Sequence, residues 1–245
     1  MKKKLLCILA HPDDESLGPG GTLAKYAREG VEIHLVTASR GEAGQWHGKL
    51  KIKNEKLKVA EIRVEELYAA AKTLGIKKVE FLDIPDGTIC NKIYHETAEK
   101  IMQKIRDFVP QVVITHDRLG VSGHLDHIGL SMITTYAFLK TRIARKLYYH
   151  CLSKKETSLL GRFFSNYFVY FPQGYETNVI TTTIDTQSVW DEQKKAMRQH
   201  ETQKKDVRNV ILWRTLFPKR EYFILGQTYK YKPELPETDL FAGIE

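Results

Sequence analysis

The residues best able to do chemistry form two compact clusters. His11-Pro12-Asp13-Asp14-Glu15 places one imidazole and three carboxylates within five residues, and His124-Leu125-Asp126-His127 flanks an acid with two imidazoles. Carboxylates this close repel one another unless a cation or hydrogen bonds hold them. Together the clusters can offer two imidazoles and one carboxylate to a metal, leaving a position open for water, as in catalytic zinc sites. Cys7, Cys90 and Cys151 are too widely spaced to suggest a thiolate site or a disulfide framework. The expected ligands are therefore nitrogen and oxygen, which suits zinc and admits other divalent ions. For either cluster alone, the competing reading is a polar loop with helix-capping acids.

Strands and helices alternate through the first 140 residues. Short apolar or β-branched runs at 5–10, 32–38, 79–82 and 112–115 read as strands. Helices are expected over 22–28, 55–74, 95–108 and 128–139, the second with Leu57, Ala60, Val64, Leu67, Ala71 and Leu74 on one stripe. This order implies the α/β class: a Rossmann-like, mostly parallel sheet with helices on both faces. The later residues are less regular, with strands expected at 146–152 and 179–184 and a helix from a Ser188 cap to about residue 203. No linker-like tract interrupts the chain, so residues 1–245 read as one domain. Ligands of open parallel sheets gather at the carboxyl ends of the strands. His11 to Glu15, Ser39 to Glu42, Asp83 with Asp86, and His116 with Asp117 all follow strands and would converge on that edge.

These motifs resemble those of the LmbE-like, or PIG-L-type, zinc de-N-acetylases. The resemblance runs nearly the length of the chain. It covers Ala10 to Glu15 with Leu17-Gly18 and Gly20-Gly21-Thr22, then Val36-Thr37 with Gly41 to Gly44, Arg63 and Glu66. It continues through Ile84 to Gly87, Thr115-His116, Gly123 to His127, Lys195, Ala196, His200, Gln203 and Glu221 to Phe223. The family usually has proline where Leu125 stands. The resemblance implies a deacetylase that frees the amine of an N-acetylglucosamine conjugate, with one Zn2+ per chain bound by His11, Asp14 and His127. It makes Asp13 the general base, His124 the stabiliser and proton donor, and Asp126 the group that orients His124. Arg63, Glu15 and His200 are implied near the substrate. A homo-oligomer, trimeric or hexameric, is in keeping with the family. The competing functions are another metallohydrolase on the same site and a non-catalytic binding protein with a basic face.

Composition constrains the rest. Hydrophobic residues are 42% and charged residues 28%, ordinary for a globular protein, and no apolar run reaches membrane-spanning length. The apolar stretch after the first lysines is too short for a secretion signal, so a cytoplasmic location is expected. The net charge is +8, and residues 140–162 hold seven Lys or Arg against the single acid Glu156. Such a run reads as a solvated face or as contact with an anionic substrate or membrane. No helix-turn-helix or RNP-type signal is present, so no nucleic-acid partner is expected. Gly18-Pro19-Gly20-Gly21 suggests a nucleotide-binding turn, but Leu23 stands where a dinucleotide fingerprint needs glycine.

Overall fold

A computed structural model describes residues 2–44, 55–91, 94–163, 174–230 and 233–244. Its sheet begins with β1 (Lys4–Leu9), followed by the short α1 (Asp14–Leu17), α2 (Gly20–Arg28) and β2 (Glu32–Thr37). Next come α3 (Glu55–Leu74), β3 (Lys78–Phe81), α4 (Tyr94–Phe108) and β4 (Val112–His116). The one-turn α5 (Gly120–Gly123) leads to α6 (Leu125–Thr141), β5 (Lys146–Cys151) and α7 (Lys154–Phe163). The chain then forms β6 (Thr182–Asp185), α8 (Trp190–Met197), α9 (Lys204–Thr215) and β7 (Arg220–Thr228).

The strand order is β3-β2-β1-β4-β5-β7-β6. The first five strands run parallel, whereas β7 is antiparallel to both β5 and β6. Alternate residues of β1 enter opposite cores. Leu5, Cys7 and Leu9 pack with Leu23, Leu67 and Ala71 from α2 and α3, while Leu6, Ile8 and Ala10 pack with Ile101, Ile105 and Ile133 from α4 and α6. Burial on both faces explains why β1 and β4 read as continuous apolar runs rather than as alternating ones. The order reverses between β1 and β4, so the carboxyl ends of these neighbours open the crevice where ligands of such sheets bind. Both metal-type motifs lie there.

The expected helix over 188–203 is broken. Residues Gln187–Val189 and Glu201–Gln203 are 3-10 turns on either side of α8, and the additional helix α9 follows. The expected strand at 179–184 begins later, at Thr182. The basic run 140–162 also divides. Arg142 caps the far end of α6, and the Arg145 backbone N–H bonds to Gln111, at the amino edge of the sheet away from the crevice. Lys146 is fully buried, with Nζ 2.5 Å from Glu237 Oε1. His47 and most of the aromatic stretch 163–171 lie outside the described residues. Among the described residues, no helix is long and apolar enough to cross a membrane.

Candidate active site

Two turns bring the donor atoms together. The first leaves β1 through His11 and enters α1 at Asp13, whose backbone takes φ 115°, a costly conformation for a residue with a Cβ. Glu15 holds it there, its Oε2 accepting the Asp13 N–H at 3.0 Å. The second turn, after β4, passes through positive φ at Gly120, Val121 and Gly123 before His124 caps α6. Gly120 must be glycine, because a Cβ would stand 2.9 Å from Ile128 Cγ1 at φ +70°. Leu125 occupies the first helical position, where proline is also well accommodated.

His11 Nδ1 lies 3.2 Å from His127 Nε2 and 3.7 Å from Asp14 Oδ2, and His127 Nε2 lies 3.4 Å from Asp14 Oδ1. Ligands about 2.0 Å from a tetrahedral zinc stand about 3.3 Å apart, so these spacings match a metal's inner shell. The outer nitrogens are already committed. His11 Nε2 is 3.0 Å from Asp86 Oδ1 and 3.4 Å from Asp126 Oδ2, and His127 Nδ1 donates to Gly120 O at 3.0 Å. Each bond occupies the outer nitrogen, so that a metal displacing any inner proton would meet the inner lone pair, the usual support of a metal-binding histidine. The residues therefore fit a divalent metal. Other triads, His11-His124-His127 and Asp14-His116-His127, also lie within 4.8 Å. His116 Nε2, however, accepts the Ala10 N–H at 3.1 Å, which engages that lone pair.

The electrostatics follow from burial and neighbours. Burial raises Asp13, Arg63 opposes the rise, and the carboxyl is pushed up to about 7. Burial also works against ionised Asp14, but His127, His116 and His11 hold it well below the usual range. Burial disfavours the His11 cation, yet hydrogen bonds to Asp126 and Asp86 push its pKa up to about 10. His127 is held well below 6.5 by burial, and His124 is lowered by burial and by His11.

The other expected site residues make contacts of their own. Asp126 does not present its carboxylate to His124. The carboxylate accepts the N–H groups of Gly87 and Ile89 at 2.8 and 3.0 Å and faces His11, while the Asp126 backbone N–H donates to His124 Nδ1 at 3.2 Å. Arg63, Glu15 and His200, implied near the substrate, sit inside the fold behind the cleft lining. All three are buried, and none lines the cleft. Glu15 Oε1 pairs with His200 Nε2 at 2.8 Å, and Arg63 bonds to Pro12 O, Gly41 O and Asp13. Gly41 permits that approach, since a Cβ there would meet the Arg63 guanidinium. Asp86 is a partner of His11, and His150 lines the cleft beside His116 and His124. The sequence signal for Asp86 is its place after a strand end. The turn before α2 binds no phosphate in this arrangement, because Glu221 accepts the Gly21 and Thr22 N–H groups at 2.9 and 2.7 Å.

A cleft of about 310 Å³ joins Asp13, Asp14, His124 and His127 to a wall supplied by α9. Residues 6–138, more than half of the chain, match the family described as "PIG-L: GlcNAc-PI de-N-acetylase", and the chain belongs to that family. A 1D-myo-inositol 2-acetamido-2-deoxy-alpha-D-glucopyranoside deacetylase of Acidothermus cellulolyticus is 32% identical over 285 aligned positions, covering 100% of this chain and 96% of that protein. A mycothiol S-conjugate amidase of Streptomyces coelicolor is 34% identical over 156 positions, covering 55% and 51%. Among solved structures, the N,N'-diacetylchitobiose deacetylase of Pyrococcus horikoshii shares the fold at TM-score 0.67 and 20% identity, covering 91% of this chain and 83% of that one. GalB, the 4-carboxy-2-hydroxymuconate hydratase of Pseudomonas putida, does so at TM-score 0.67 and 23% identity, covering 95% and 99%. The fold thus serves more than one reaction, and the site must carry the functional argument.

Proposed function

We propose that this protein hydrolyses the acetamido group of an N-acetylglucosamine conjugate, with His11, Asp14 and His127 holding one divalent metal, zinc by preference. The observation that carries the reading is the approach of His11 Nδ1 to His127 Nε2 at 3.2 Å, with the two oxygens of Asp14 at 3.7 Å from the first and 3.4 Å from the second, while Asp13 and His124 line the same cleft. The deacetylase relative, similar over the whole chain, supports the substrate class. When bound, the metal supplies Lewis acidity, polarising the acetyl carbonyl and lowering the pKa of water.

The chain's own residues then divide the proton work. Asp13, ionised, takes a proton from the attacking water as its oxygen bonds to the acetyl carbon. A carboxylate near pKa 7 is well matched to that task at neutral pH. His124 Nδ1 already accepts the Asp126 N–H, so Nε2 is the nitrogen that carries the proton. Its lowered pKa keeps the ring neutral, so Nε2–H would stabilise the developing oxyanion, and the proton that Asp13 takes from the water would pass to the nitrogen as the carbon–nitrogen bond breaks. The products are acetate and a free amine. Asp86 and Asp126 hold His11, while Glu15 and Arg63 hold the strained turn that presents Asp13.

The test is to supply zinc and measure acetate and primary amine released from N-acetylglucosamine and its glycosides. Equimolar release is expected. If neither product forms with any N-acetylglucosaminide while another amide is cleaved, the sugar assignment is wrong and a different amidohydrolase stands in its place.

A further inference from the structure

A second cavity shares α9 with the catalytic cleft. Asp206, Asn209 and Trp213 line the cleft, whereas Lys204 and Arg208 line a separate space of about 330 Å³. Arg198, which follows α8, and His200 and Glu201, in the connection between the two helices, complete its wall. Among the described lining residues, three cations therefore face one acid. Lys204 Nζ stands 3.3 Å from Glu201 Oε1 in an exposed, loose pair. Among the described residues, the Arg198 and Arg208 guanidinium groups have neither an ion pair nor a hydrogen bond. Gln203 gives α9 no side-chain cap, so the positive end of the helix dipole at Lys204 is not neutralised locally.

We propose that this cavity binds the phosphoryl group of a small molecule, and that its occupancy steadies the turn carrying Asp13. Two unpaired guanidinium forks and an ammonium match a phosphoryl dianion, to which arginine can donate two parallel hydrogen bonds. The volume is at the lower end of ordinary ligand pockets, about 300–1,000 Å³, which leaves room for a small organic part. The effect on Asp13 follows from what lies between the cations. An anion held by both Arg198 and Arg208 ties the end of α8 to the first turns of α9 and clamps the connection between them. His200 sits in that connection, fully buried, with Nε2 2.8 Å from Glu15 Oε1, and Glu15 Oε2 accepts the Asp13 N–H at 3.0 Å. A ligand that binds only the closed arrangement stabilises it by mass action, so the strained turn opens less often. The inference is independent of the reaction assigned to the cleft.

The experiment measures binding to the zinc-loaded protein by calorimetry, with inorganic phosphate, glucose 6-phosphate and glucose. Both phosphoryl compounds should bind and glucose should not. Tighter binding of glucose 6-phosphate marks an ester as the occupant, and equal or weaker binding marks phosphate itself. Arg198→Ser combined with Arg208→Ser should weaken both by about tenfold or more, with circular dichroism showing a folded protein. His127→Ala, which takes a ligand from the metal, should bind them as the unsubstituted protein does. Hydrogen exchange in residues 11–16 should slow several-fold when glucose 6-phosphate is bound, and should not respond in the arginine variant. Absence of phosphoryl binding overturns the site. Binding that survives the arginine substitutions but is lost in His127→Ala puts the anion on the metal and overturns it equally. Unchanged exchange at 11–16 with the cavity filled overturns the link to Asp13. No readout passes through turnover, so a failure to release acetate would sink the deacetylase reading alone.

Discussion

Arg63, buried and outside the cleft wall, holds its Nη2 3.1 Å from Asp13 Oδ2. The guanidinium favours the ionised carboxylate, against the burial and the Asp14 charge that raise it. The proposed mechanism requires ionised Asp13, so kcat/KM should fall on the acid side of this group's pKa. Arg63→Gln removes the lowering influence and should move that acidic limb to higher pH, with metal content unchanged. A limb that stays in place would detach either Arg63 from Asp13 or Asp13 from the rate. Asp13→Asn should lower kcat by about 10²-fold or more while retaining metal.

The proposed metal centre predicts a separation between inner ligands and their supports. His127→Ala leaves two protein ligands and should strip most of the metal, read by elemental analysis of the purified protein. Asp86→Ala removes only the outer partner of His11 and should weaken affinity by about 10–100-fold. Full metal content and affinity in both variants would place the ion elsewhere.

His124→Ala should keep the metal and lower kcat by about 10²–10⁴-fold, because the developing oxyanion loses the Nε2–H that would stabilise it. Small added imidazoles should restore part of the rate. Near-normal turnover without any rescue would remove His124 from the reaction.

His150 yields a prediction about stability. Burial, then Arg214 and His116, push this histidine down to about 3 from 6.5. Between those values the unfolded chain binds a proton that the folded chain refuses, so stability falls as pH drops through that window. The slope attributable to this one group is at most about 1.4 kcal/mol per pH unit. Urea titrations at pH 6.5, 5.5 and 4.5 should show a smaller decline for His150→Phe than for the unsubstituted protein. Parallel declines would show that His150 does not control the window.

Local pattern carried much of the architecture but little of what supports the site. Residues 55–74 emerge as α3 with the bounds that their stripe and Gly75 suggest, because that helix buries one face against β1 and β2. The two His/Asp motifs announced themselves by composition. The interrupted helix after Ser188 could not be read locally, because His200 is drawn to Glu15, 185 residues away, at backbone angles of φ −82° and ψ 66°. α9 was missed for a related reason. Asn209 and Trp213 line the cleft, while Leu212 and Leu216 are 58% and 68% exposed, so its apolar residues mark no single buried stripe. The roles of Asp86, Glu15 and Arg63 are likewise set by contacts between distant segments, to which residue spacing is blind.

The Glu221 carboxylate gives the site a history in time. It occupies the amides at the start of α2, 200 residues from its own position, and also receives Gln193 Nε2 at 2.9 Å. A ribosome adding about 5–20 residues per second needs roughly 10–40 s to cover that distance. Every proposed metal ligand has been synthesised by His127, yet the helix start behind the first motif still lacks its anion. A nascent chain stalled before Glu221 would therefore carry all the ligands without the bed that orders them. On the proposed reading, tight metal capture should await the segment that carries Glu221.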